Sequence, residues 1–95
     1  SPALSEVFPV VEQAKLWARR ILAEPHHTAG ERVRRLYETV FARPPSDGEL
    51  RDAVHFLQTQ AAASGLAADE WQHDSHVWAD LCHALMNTKE FIFLN

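Results

Sequence analysis

Two stretches of this chain pair a hydroxyl residue with a glutamate three positions later and set an amphipathic run directly behind it: Thr28 with Glu31, and Ser46 with Glu49. In a capping box the hydroxyl accepts from the N–H of the third helical residue, while the glutamate accepts from the N–H of the cap itself. Two donors that a first helical turn leaves unpaired are thereby satisfied. A pattern of this kind marks where a helix starts, and two of them fix the middle of the chain as helical.

The runs behind the boxes have the matching period. After Thr28 the apolar residues Val33, Leu36, Tyr37, Val40 and Phe41 recur at i, i+3, i+4, i+7 and i+8, the stripe of a helix that buries one face. Pro44 disfavours a helical Arg43 and Pro45 reinforces the stop. After Ser46, the residues Leu50, Ala53, Val54, Leu57 and Ala61 form a third helix to about Ser64, with Phe56 on its flank and Gly65 placed for a left-handed C-terminal cap.

The flanks follow the same logic. Pro9 suits the start of a first helix over about 9–23, whose stripe contains Val10, Ala14, Trp17 and Ile21, and Pro25 ends it within the connection EPHHTAG. The segment LAADEWQHD predicts at most a helical turn with Trp71 inserted into the core. A fourth helix starting near Asp74 or Ser75 sets Val77, Trp78, Leu81, Ala84 and Leu85 on one side and His76, Asp80, His83 and Asn87 on the other. Asn87 and Glu90 repeat the capping pattern, which predicts that this helix stops near Met86 and that a new turn carries Phe91, Ile92 and Leu94 back onto the bundle.

Bulk properties then narrow the function. The formal charge of −4 sets the overall field against nucleic acid and anionic lipid. With a single cysteine, Cys82, an intrachain disulfide, a cysteine-cluster zinc site and c-type haem attachment are excluded. No stretch reaches the roughly 18 apolar residues of a membrane span, and SPALSEVFPVVEQ lacks the basic-then-apolar order of a signal peptide. GxSxG, HExxH and phosphate-binding glycine loops do not occur.

The sharpest chemical candidate is the line of His76, Asp80 and His83, because two imidazoles and a carboxylate on one helical face are a possible ligand set for zinc or iron. The competing reading is a solvated face or a polar seam against a neighbour. His26, His27 and His73 fall in connections and His55 on a helix surface, where exposure is the simpler account. Cys82 reads as a structural thiol, since the adjacent His83 points about 100° away around the helix. Arg32, Arg34, Arg35 and Arg43 suggest a basic patch on a helix-turn-helix, yet Glu31, Glu38, Asp47, Glu49 and Asp52 interleave with them, and surface ion pairs explain the set. Trp17, Trp71 and Trp78 read as core.

The stretches RVRRLYETVFARPPSDGELRDAVHFL and WADLCHALMNTKEFIFLN carry a resemblance to the C-terminal domain of unknown function of large planctomycete proteins that often contain an N-terminal cytochrome-c-like module. VFPVVEQAKLWARRI is similar to the segment that precedes it there, whereas QTQAAASGLAADEWQHDSH lies outside the likeness. The resemblance implies the tail of a longer, exported protein of the periplasm or cell envelope. It supplies no catalytic residues to carry over, and haem function transfers to no residue here.

The expectation is therefore an all-α chain: one helical domain over 1–95, a compact bundle of four main helices plus a short C-terminal helical turn. Its expected core is Trp17, Ile21, Leu36, Tyr37, Val40, Phe41, Leu50, Val54, Leu57, Trp78, Leu81, Leu85 and Phe91. The expected role is a non-catalytic scaffold or interaction module that needs no cofactor and neither binds nucleic acid nor inserts into a membrane. Its partner would be another domain of the parent chain or another protein. The alternative is a metal-binding or redox-accessory domain using His76, Asp80 and His83.

Overall fold

A computed structural model describes residues 9–25 and 27–94, with side chains through Thr88. Its helices are α1 (Val10–Ala23), α2 (Ala29–Phe41), α3 (Asp47–Ala63) and α4 (Ser75–Leu94), and a 3₁₀ turn, Glu70–Gln72, lies between the last two. The fold is an all-α bundle without strands among the described residues.

Both capping boxes form. Glu31 N donates to Thr28 Oγ1 at 3.1 Å and Thr28 N to Glu31 Oε1 at 3.1 Å. The Ser46 box has the same reciprocal geometry, at 3.1 and 2.9 Å. At the start of α4, Asp74 Oδ1 accepts from the N–H groups of His76 and Val77 at 3.0 and 3.1 Å, so a carboxylate also neutralises the positive end of that helix. The α3 terminus is closed by Gly65 at φ 74, with Leu66 N bonded to Ala61 O and Gly65 N to Ala62 O, the paired bonds of a Schellman stop. Ala42 ends α2 in the same left-handed region, φ 57, without glycine's freedom from steric strain there.

The third predicted cap does not form. α4 runs unbroken from Ser75 to Leu94, and Thr88 Oγ1 donates back to Ala84 O at 3.0 Å inside the continuing helix. Asn87 is thus an exposed position within a helix, not a joint. The physical difference lies in what precedes the pattern. Pro44 and Pro45 stop α2 before Ser46, whereas Ala84, Leu85 and Met86 favour helix and offer the ladder no reason to break. The side chains of Glu90, Phe91, Ile92 and Leu94, including the expected core position Phe91, lie outside those described.

The core collects Ala14, Ala18 and Ile21 from α1, Val33, Leu36, Tyr37 and Val40 from α2, Ala53, Leu57 and Ala61 from α3, and Val77, Trp78, Leu81, Cys82 and Leu85 from α4, with Trp71 inserted from the 3₁₀ turn. α4 touches all three other helices, and its contact with α1 is the most extensive among the described elements. Ala14 and Ala18, spaced one turn apart and fully buried, explain that closeness, because small side chains let two helix axes approach. Trp17, Phe41, Leu50 and Val54, expected inside, are only partly buried at the margin of the cluster. Trp17 is partly exposed, and the Arg20 guanidinium sits 5.3 Å from its ring centre. Ala84 is exposed and Cys82 is fully buried, so the inner stripe of α4 lies one position off that expected.

Candidate functional site

The polar face of α4 does not act as one unit. Asp80 accepts a hydrogen bond from Gln60 Nε2 of α3 at 3.2 Å, which ties its carboxylate to a neighbouring helix. His76 is exposed one turn earlier, and His83 is half-buried a turn later. Among the described residues no three His, Cys, Asp or Glu side chains are grouped to hold a metal ion. His76 and Asp80 do meet in a groove of about 280 Å³ between α1 and the start of α4, lined also by Lys15, Arg19, Ser75 and Ala79. This groove replaces the straight His76–Asp80–His83 line as the place where polar side chains of different helices converge.

Lys15 and Arg19 were absent from the sequence candidates, yet a signal for them exists. They lie one turn apart on α1, about 100° around the helix from Ala14 and Ala18, and so emerge along the edge that flanks the buried stripe. Val11, a turn before Lys15 on the same line, is 43% exposed.

Several of the remaining candidates are engaged in holding the bundle. Arg32, expected among surface ion pairs, is 94% buried: its relative exposure is 6%. Its Nη1 donates to Gln72 O at 3.1 Å and its Nη2 to Glu24 O at 3.3 Å, while its Nε finds no acceptor among the described residues. Its position was readable, because Arg32 lies four residues before Leu36 and eight before Val40, on the buried stripe itself. The Gln72 carbonyl also receives Trp78 Nε1 at 3.2 Å, and the same indole donates to Trp71 O at 2.9 Å. A guanidinium from α2 and an indole from α4 therefore pin the 66–74 connection by its backbone.

Arg43 braces the corner between α2 and α3. It pairs with both carboxylate oxygens of Glu49, at 2.7 and 2.9 Å, and its guanidinium lies 5.7 Å from the Tyr37 ring centre and 5.6 Å from that of Phe41. The Arg43 bonds and the Ser46 N–H together pull the Glu49 carboxyl down to about 2. Arg35 and His27 meet at the Glu24 carboxylate, at 3.0 and 3.4 Å. His27 also lies 3.5 Å from Glu31, so it sits half-buried between two carboxylates and is not the exposed loop residue expected. His26 lies outside the described residues, whereas His55 and His73 are exposed. The sealed Cys82 thiol is pushed up to about 12 by burial, which removes the thiolate that nucleophilic chemistry requires.

No family model, curated protein or solved structure matches this chain. Among the described residues, no helix is long and apolar enough to cross a membrane.

Proposed function

We propose that the chain is a helical interaction module of a larger protein, holding a preformed surface against another domain of that protein or against a separate partner. The observation that carries this reading is the division of labour among polar side chains. Arg32, Trp78, Arg43, Glu49 and Asp80 cross-link helices and connections, while Lys15, Arg19 and His76 remain exposed around a groove that a rigid bundle keeps open. A surface held by the scaffold rather than by mobile loops favours docking, because little conformational entropy is lost on contact.

The likeness of ARPPSDGEL and DLCHALMNTKEF to the C-terminal domain of large planctomycete proteins supports a place beside other modules of an exported, cell-envelope parent. The test is titration of the isotope-labelled module with the separately produced remainder of its parent chain, followed by amide NMR. Saturable shifts on one face are expected. Their absence, together with saturable zinc binding that is lost in His83→Ala, would replace the interaction reading with the metal-binding one.

A further inference from the structure

The α1–α4 groove has three properties that together select an occupant. Its cations lie on one line of α1. Among the described residues Arg19 has no ion-pair partner and Lys15 pairs with Glu12 alone, at 3.4 Å, both side chains of that pair being more than half exposed. Such an exposed pair contributes little and exchanges readily for another carboxylate. The lining also includes apolar surface, with Ala79 in the groove and Val11 exposed one turn beyond Lys15. Finally, at about 280 Å³ the groove has room for side chains presented from a peptide.

From these we infer that the groove docks an acidic peptide segment interspersed with apolar residues, its carboxylates held by Lys15 and Arg19 and its apolar side chains laid on Val11 and Ala79. The inference rests on the interaction-module reading and names the chemistry of the partner. A long polyanion fits less well. Asp80 in the lining opposes carboxylates and phosphates alike, so the wider field decides: the protein as a whole carries −4, which a nucleic acid spanning many Debye lengths meets in full and a short segment does not.

The experiment uses a fluorescein-labelled peptide of mixed glutamate and leucine, read by anisotropy and by amide NMR on the intact chain. Saturable binding is expected, with shifts confined to α1 and the first turns of α4. The double variant Lys15→Glu, Arg19→Glu should bind roughly tenfold more weakly, and Val11→Ser should weaken binding to a similar degree at low and high salt. All three positions are exposed, and unchanged circular dichroism will verify that the variants fold. Equal affinity for a lysine–leucine peptide, or wild-type affinity in the double variant, would overturn the inference. Shifts on the α2–α3 face would overturn the groove assignment while leaving the interaction module standing. Tighter binding of a single-stranded oligonucleotide to the same groove would overturn the peptide assignment.

Discussion

Arg32 and Trp78 donate to the same atom, the Gln72 carbonyl oxygen, at 3.1 and 3.2 Å. One comes from α2 and the other from α4, so a single backbone oxygen in the connection between α3 and α4 joins three parts of the fold. Burying a guanidinium with carbonyls for acceptors is costly unless the bonds are good. Arg32→Ala should therefore lower stability by about 2–3 kcal/mol, and Trp78→Phe by about 1–3 kcal/mol through lost bonds and lost volume. Because the two share an acceptor, the double variant should deviate from additivity by about 0.5 kcal/mol or more in urea denaturation. Strict additivity would mean that the shared oxygen does not couple them.

Ala42 offers a test in the opposite direction. Holding an alanine at φ 57 costs roughly 1–2 kcal/mol, while glycine adds about 0.5–1 kcal/mol of unfolded-state entropy. Ala42→Gly should raise stability by about 0.5–1 kcal/mol, seen as a higher thermal midpoint; a lower one would contradict the left-handed cap.

The Arg43–Glu49 brace sets an acid dependence. Glu49 falls from 4.5 to about 2 in the folded protein, so it binds its proton more readily unfolded. Its stabilising contribution is fully present above 4.5 and is lost as pH falls through about 2. A carbon-detected carboxyl titration should place the Glu49 midpoint well below the other glutamates. Arg43→Ala should move it upward and leave a residual depression from the Ser46 N–H.

Continuity of α4 through Asn87 reverses the effect expected of a cap. An exposed asparagine in a helix interior is a poorer helix former than alanine, so Asn87→Ala should stabilise by a few tenths of a kcal/mol. A loss of about 1 kcal/mol in chemical denaturation would instead restore the cap.

Helix starts were the most legible feature of the sequence, because a capping box states its geometry in two residues and proline stops are chemically unambiguous. The same pattern at Asn87 misled, since a cap needs a broken ladder before it and nothing in Ala84-Leu85-Met86 breaks one. Burial was legible where the stripe was broad, as along α2. It was less so on α4, where contact with several helices at once buries Cys82 and half-buries His83 on different sides. Arg32 went unread because charge outweighed position, although its spacing to Leu36 and Val40 placed it inside. The groove is half legible: the spacing on α4 marks His76 and Asp80, but Lys15 and Arg19 join them only when α1 is laid against α4.

The shared oxygen at Gln72 should also order events in time. It has both donors only after α2 and α4 have docked, since neither donor belongs to its own segment. The 66–74 connection should then set last, in the descent from the folding transition state rather than the climb to it. Weakening it should quicken unfolding and leave the refolding rate almost untouched, so this junction governs how long the native bundle lasts more than how soon it forms.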